Sequence, residues 1–268
     1  MELAKRFLTS FVLLGATAYI LFFTNTFWFS LEVALFIGIA LYEFFGLLKK
    51  TGVPVYRVFG VALGVSIPII VYAELGHTQS GEILFIILGC LFLFLLQFFH
   101  KDHSQALVGI SLTLFGILYI SWFLSFVIKI RFLEGGVLWV TYLVAVTKAA
   151  DVGAYAIGTL FGRHSLIPHI SPKKSVEGTL AGILVSVLVS VAMTGLLPVK
   201  FSVLHAAVAG LLIGGVGQIG DLSESLMKRF CNAKDSGDLL PGMGGFLDML
   251  DSILFTAPIL YFHLKVWL

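Results

Sequence analysis

Residues 220–252 read GDLSESLMKRFCNAKDSGDLLPGMGGFLDMLDS. This run of acids, cations and glycines lies between two long apolar stretches, 203–221 and 248–267. In a chain that is 59% hydrophobic and 12% charged, ionisable groups are scarce, so their gathering here has a cause. Asp151, Asp221, Asp235, Asp238, Asp248 and Asp251 all follow residue 150, and only Asp102 precedes it. The side chains able to hold a metal are therefore concentrated in one half of the sequence.

A typical soluble domain is about 45–50% apolar and about 25% charged. This chain departs from both figures along its whole length, with a mean hydropathy of +1.02. A transmembrane helix needs roughly 20 mainly apolar residues. Candidate spans fall at 7–24, 27–47, 56–75, 82–99, 106–128, 137–160, 179–198, 203–221 and 248–267. The expected architecture is an all-α polytopic membrane protein of about nine transmembrane helices. The first apolar run, after MELAKRF, reads as a retained helix rather than a cleaved signal, because no small-residue cleavage site follows it.

Lys and Arg in the loops set orientation. With the N-terminus cytoplasmic and the C-terminus outside, the inner side collects Lys5, Arg6, Lys49, Lys50, Arg57, Lys101, Arg163, Lys173, Lys174, Lys228, Arg229 and Lys234. The outer side keeps Lys129, Arg131, Lys200 and Lys265. This asymmetry predicts a multi-pass protein of the cell (inner) membrane with its polar loops 162–178 and 228–247 in the cytoplasm. Residues 1–135 form an expected helical scaffold offering a dimerisation surface, and residues 136–268 an expected catalytic bundle.

Asp248 and Asp251, three residues apart, share one face at the start of the last helix. Pro241-Gly242-Met243-Gly244-Gly245 just before them can present backbone N–H groups to an anion. Asp221 and Glu224 repeat the spacing at the end of the preceding span. Oxygen ligands on two helices flanking one loop suit Mg²⁺. A solvated helix N-terminus would account for Asp248 alone, but it explains poorly an Asp221 at a C-terminal end.

A second constellation runs Asp151-Val-Gly-Ala-Tyr155, Phe161-Gly-Arg163 and Ser171-Pro-Lys173-Lys174-Ser175-Val-Glu177-Gly178. Asp151 falls inside a span, where an ionisable group suggests function. Lys148 one turn earlier offers an ion pair as an equally good account. The hydroxyls, ammonium groups and helix start at 171–178 suit phosphate oxygens, although cytoplasmic loops carry lysines in any case. His164 and His169 suit a surface or anion-contacting role better than metal ligation, and His100, Asp102 and His103 read as solvated loop residues. Cys90 and Cys231 have no CxxC or nearby His partner, so neither a disulfide framework nor a zinc site is expected. No Ser-His-Asp, HExxH or P-loop pattern occurs, and no pair of matched interrupted helices supports a transporter.

The segment Ser225-Leu-Met-Lys228-Arg229, then Lys234-Asp235-Ser-Gly237, then Leu240-Pro-Gly-Met-Gly244-Gly245-Phe-Leu-Asp248-Met-Leu-Asp251 resembles the signature of the phosphatidate cytidylyltransferase (CDP-diacylglycerol synthase) family. The constellation from Asp151 to Gly178 resembles the same family, in the same order. The resemblance covers residues from about 145 to 260. Where the family usually has His, Arg, Trp and Trp, this chain has Met243, Met249, Val176 and Lys148.

The resemblance implies a nucleotidyltransferase of phospholipid biosynthesis that converts CTP and phosphatidate to CDP-diacylglycerol and pyrophosphate. It implies Mg²⁺ as cofactor, with a second cation as an option. Asp221, Asp248 and Asp251 are the expected metal ligands and catalytic carboxylates, with Asp235 placing a metal water or Lys234. Arg163, Ser171, Lys173, Lys174, Ser175, Ser225, Lys228, Arg229 and Lys234 are the expected contacts to the triphosphate and the lipid phosphate. The implied partners are CTP, phosphatidate, membrane lipids and a second copy of the chain, and no nucleic acid. A CTP-dependent lipid or polyprenol kinase is the nearest alternative enzyme. A non-catalytic membrane paralogue is the alternative from another class.

Overall fold

The computed structural model describes residues 2–74, 81–99, 103–198, 201–237, 239 and 244–267. The described chain is helical apart from one β-hairpin. Among the described residues, seven helical segments are long and apolar enough to cross a membrane, and two shorter apolar stretches, Val12–Phe23 and Arg57–Ala73, occupy the remaining expected spans. The protein is a multi-pass membrane protein.

The chain packs as two compact units. One comprises residues 1–129 and 235–249, the other residues 130–234 and 250–268.

The first unit begins with α1 (Glu2–Phe23) and α2 (Thr26–Lys49). Asn25 caps α2 by accepting a hydrogen bond from the Trp28 amide at 3.3 Å. Then follow α3 (Arg57–Glu74), α4 (Gly81–Phe98) and α5 (Ala106–Gly116), the last continuing through a π-helical segment, Ile117–Trp122, into α6 (Phe123–Arg131). The core of this unit is the buried face of α2, with Ile37, Ala40, Leu41, Phe44 and Phe45. Helix α3 approaches it closely at Gly64, where an added Cβ would lie 2.2 Å from Leu41 and 2.5 Å from Ser121. Small residues permit such approach between membrane helices. Lys129, read from the sequence as lying just past the span 106–128, lies on α6, 2.5 Å from Glu82 of α4, whose other oxygen accepts from the Trp122 indole N–H at 3.2 Å. An ion pair of this kind satisfies charges that lipid would penalise.

The second unit holds α7 (Gly136–Phe161), β1 (Ser165–Ile167), β2 (Ser171–Ser175), α8 (Val176–Ala192) with a 3₁₀ turn at Met193–Leu196, and α9 (Val203–Phe230). It also takes most of α10 (Leu247–Trp267), from Leu250 onward. Hydroxyls and glycines form the α8–α9 seam. Ser186 Oγ donates to the Gly210 carbonyl at 2.8 Å, and Ser190 Oγ donates to that of Ala206. Thr147 of α7 bonds Thr256 of α10 at 3.2 Å. Trp139, Tyr142, Phe201 and His263 pack edge-on at the other end of the unit.

Two expectations about loops change. Residues 162–178 are not an open loop: β1 and β2 pair antiparallel, and Ser175 ends the hairpin as the N-cap of α8. Helix α9 does not stop at 221 but runs to Phe230, which puts Lys228 and Arg229 on its last turn. Glu224 and Lys228 pair at 3.1 Å across one turn, and cations at a helix C-terminus are favoured by the dipole.

Candidate active site

A cavity of about 580 Å³ opens in the second unit among α7, the β2–α8 junction and α9. Its walls include Asp151, Tyr155, Ser171, Lys173, Lys174, Ser175, Gln218 and Asp221. The hairpin delivers the lysines. After Pro172, the extended β2 strand carries Lys173 outward and leaves Lys174 half-buried. Lys174 Nζ sits 2.7 Å from Asp221 Oδ2 and donates to Gln218 Oε1 at 3.3 Å. Ser175 Oγ accepts from the Gly178 amide at 3.1 Å, so the helix start that closes the cavity is capped from within the cavity wall.

Asp151 meets a second set of partners in the same unit. Its Oδ2 accepts from Lys148 Nζ at 3.1 Å, the intrahelical pair that the spacing allowed. Its Oδ1 accepts from Ser252 Oγ at 3.2 Å, and the same hydroxyl lies 3.2 Å from Asp251 Oδ1. Asp251 is buried, and its Oδ1 also accepts from the Ser252 amide at 2.6 Å. Helix α9 passes close by, since a Cβ on Gly220 would lie 2.6 Å from the Asp251 carbonyl oxygen. Glycine next to Asp221 thus lets the carboxylate-bearing helices of this unit touch.

The remaining expected residues of this unit lie outside the cavity wall. Arg163 is exposed, and its amide, with that of His164, donates to Glu177. Glu177 also takes His164 Nδ1 at 2.6 Å, so it ties down the hairpin entrance and His164 is a structural contact. Arg229 Nε donates to the Ile170 carbonyl at 3.2 Å and so fastens α9 to the hairpin turn. Ser225 is half-buried on α9, Lys228 pairs with Glu224, and Lys234 is exposed.

Asp248 belongs to the first unit, with residues 235–249. Its Oδ2 accepts from the Ser236 amide at 3.0 Å, the Ser236 hydroxyl at 2.9 Å and the Gly245 amide at 2.8 Å. Gly244 has φ +91, a left-handed conformation, and a Cβ there would lie 3.2 Å from Asp248 Oδ2 and 3.5 Å from Asp235 Oδ1. Only glycine takes this conformation without strain. Asp235 itself is exposed. Asp238, Pro241, Gly242 and Met243, like His100, Lys101, Asp102 and Lys200, lie outside the described residues.

Among the described residues, no three His, Cys, Asp or Glu side chains group closely enough to hold a metal by themselves. The carboxylates of Asp151 and Asp221 on the cavity wall are oxygen ligands, the type that a hard cation such as Mg²⁺ takes.

The family model for the cytidylyltransferase family matches residues 4–267. The chain belongs to that family. Among its relatives, a phosphatidate cytidylyltransferase of Synechocystis sp. is 34% identical over 94% of this chain and 94% of its own length. Proteins of the same name from Mycobacterium bovis and Bacillus subtilis are 41% and 36% identical, each over 56% of this chain, covering 49% and 56% of their own lengths. Family membership extends to both units, although the motifs that suggested it lie between about 145 and 260.

Sequence reasoning missed Gln218, Ser252, Ser236 and Glu43. Gln218 lies one helical turn before Asp221 and Ser252 directly follows Asp251, and a polar residue in an otherwise apolar helix was the available signal. Ser236 lies inside the quoted signature. Glu43 offered only its place as a carboxylate within a span, which it shares with Glu32.

Proposed function

We propose that this chain is a phosphatidate cytidylyltransferase, joining CTP and phosphatidate to give CDP-diacylglycerol and pyrophosphate. The observation that carries the reading is the cavity in which Lys173, Lys174, Ser171 and Ser175 face Asp221. It combines cations and hydroxyls for phosphate oxygens with an anion for a metal. Family membership and the Synechocystis relative supply the reaction.

The reaction makes modest demands on acid–base groups. A phosphatidate oxygen attacks the α-phosphorus of CTP, the P–O bond to the β-phosphate breaks, and pyrophosphate leaves with the electron pair. The nucleophile is already an anion near neutral pH, so the barrier lies in bringing two polyanions together. Lys174, held at the cavity wall by Asp221 and Gln218, is placed to meet phosphate oxygens. Lys173 is placed to draw the triphosphate from solution. Ser171 and Ser175 offer hydroxyls, and Arg163, Ser225, Lys228, Arg229 and Lys234 add positive charge or hydrogen bonds for the triphosphate and the lipid headgroup.

For Mg²⁺ we assign Asp221 and Asp251, and Asp248 on its motif position, with Asp235 oriented toward a metal water or Lys234. Bound there, Mg²⁺ would neutralise phosphate charge and polarise the α-phosphorus. The loop cations further support an active site on the cytoplasmic side of the cell (inner) membrane, with the N-terminus inside and the C-terminus outside. A homodimer is the proposed assembly, and the proposed labour divides between a scaffold over 1–135 and a catalytic bundle over 136–268.

The test is an assay of purified protein with labelled CTP, phosphatidate in mixed micelles and Mg²⁺. Equal amounts of CDP-lipid and pyrophosphate, both abolished by EDTA, are expected. CDP with a newly phosphorylated lipid would instead establish a CTP-dependent kinase. A folded preparation that binds CTP without turnover would establish a non-catalytic paralogue.

A further inference from the structure

Glu43 lies on the buried face of α2 toward its C-terminal end, flanked by the buried Ala40, Leu41, Phe44 and Phe45, and is itself only 4% exposed. A carboxylate in such surroundings costs several kcal/mol unless its oxygens are satisfied. Its partners come from a segment about 200 residues further along the chain. Oε1 accepts from the Phe246 amide at 2.9 Å, and Oε2 accepts from the Leu247 amide at 2.9 Å and from the Ser236 hydroxyl at 3.2 Å. Both amides stand at the start of α10, among the N–H groups for which a helix has no internal acceptor. A negative charge there also meets the positive end of the helix dipole. Glu43 therefore caps α10 from a different helix.

The residue after Leu247 is Asp248, and the two carboxylates share a partner. Ser236 Oγ lies within hydrogen-bonding distance of both Asp248 Oδ2 and Glu43 Oε2. A hydroxyl has one proton, so the backbone amides must hold whichever carboxylate the serine does not serve. The segment is moulded on Glu43. A Cβ on Gly237 would lie 2.6 Å from Glu43 Oε1, and one on Gly245 would lie 1.7 Å from Ser236 Oγ and 2.7 Å from Glu43 Oε2. Phe246 also packs edge-on against Phe36, two turns before Glu43 on the same side of α2, with ring centroids 4.9 Å apart.

We propose that Glu43 is a positioning residue for the cytidylyltransferase reaction, fixing where α10 begins and hence where the Asp248 carboxylate points. The proposal rests on the reading of Asp248 as a catalytic carboxylate. Two adjacent amides and a hydroxyl need two acceptor oxygens with negative charge between them. A glutamine offers one oxygen and turns an N–H group toward a donor.

The experiment compares Glu43→Gln and Glu43→Ala with the parent protein in detergent. It reads turnover per folded molecule, the Mg²⁺ concentration giving half-maximal rate, and hydrogen exchange over residues 244–249. The expected result for Glu43→Gln is at least a tenfold fall in kcat, at least a threefold rise in that Mg²⁺ concentration, and faster exchange confined to 244–249. A lowered melting temperature with unchanged kcat, unchanged Mg²⁺ dependence and unchanged exchange at 244–249 would overturn the proposal. If Glu43→Ala does not fold, Glu43→Gln and Ser236→Ala carry the same comparison, Ser236→Ala being expected to give a smaller loss in the same direction. Asp248→Asn is measured alongside. Full activity in Asp248→Asn would remove the catalytic reading of Asp248, whereas the exchange rates in Glu43→Gln report on Glu43 independently.

Discussion

Lys174 Nζ lies 2.7 Å from Asp221 Oδ2, joining a strand of the hairpin to the C-terminal third of α9 in the cavity wall. Each side chain is partly shielded from solvent, at 18% and 35% exposure, so the pair is stronger than one on an open surface. The arrangement presents an ammonium group and a carboxylate to the same volume, one suited to phosphate and the other to a metal.

Lys174→Met should therefore impair catalysis more than it impairs folding. Loss of a charge-assisted contact to a phosphate in a shielded cavity lowers kcat/KM by about 10²-fold, or roughly 2.7 kcal/mol of transition-state stabilisation. Lys174→Arg should recover part of it, because the charge remains while the geometry changes. Steady-state rates over a CTP series, on protein checked for an unchanged elution profile, decide the matter. Parent-like kcat/KM in Lys174→Met would reduce the pair to a structural tie.

Asp248→Asn separates two roles of one carboxylate. Three donors converge on Oδ2. An asparagine with its carbonyl oxygen in that place keeps the acceptor and loses the charge. The expected outcome is a folded protein whose turnover is lower by about 10²-fold or more. Near-parent turnover would show that Asp248 only shapes the turn.

Ser252→Ala removes the hydroxyl that lies within reach of both Asp151 and Asp251. Two carboxylates would then lose a common donor in a largely buried position. The expected cost is about 1–3 kcal/mol of stability, read as a lower midpoint in thermal unfolding in detergent. A midpoint unchanged from the parent would mean that water replaces the hydroxyl without loss.

Gly220→Ala tests the contact between α9 and α10 within the second unit. The added methyl would meet the Asp251 backbone oxygen at 2.6 Å, and backbone cannot rotate out of the way. Overpacking of this kind costs typically about 1–3 kcal/mol. Because Gly220 adjoins Asp221, activity should fall further than the stability loss accounts for. Both are measurable on one preparation, by unfolding midpoint and by CDP-lipid formation.

Among the described residues, the seven helices long and apolar enough to cross a membrane and the two shorter apolar stretches were legible because lipid demands a long uninterrupted apolar run, a pattern local in sequence. The Ser175 cap and the Lys148–Asp151 pair were legible for the same reason, since their partners lie within one helical turn. The hairpin at 165–175 was not. SLI and SPKKS have no run of alternating apolar residues, and pairing across a turn replaces that missing signal. The length of α9 past Asp221 was hidden by its polarity, which marks the end of a hydrophobic run but not the end of a helix.

What the sequence determined by itself was the membrane class, the family motifs and the side chains from which a phosphate- and metal-handling site could be drawn. Tertiary structure alone decided which of those side chains meet. It placed Lys174 on Asp221 and Gln218, put Ser252 within reach of both Asp151 and Asp251, and recruited Glu43 to the start of α10. The physical reason is range. Hydrophobic runs, caps and i,i+3 pairs are properties of neighbours along the chain. A carboxylate such as Glu43 finds its donors some 200 residues away, and only packing of the helices can specify that partnership.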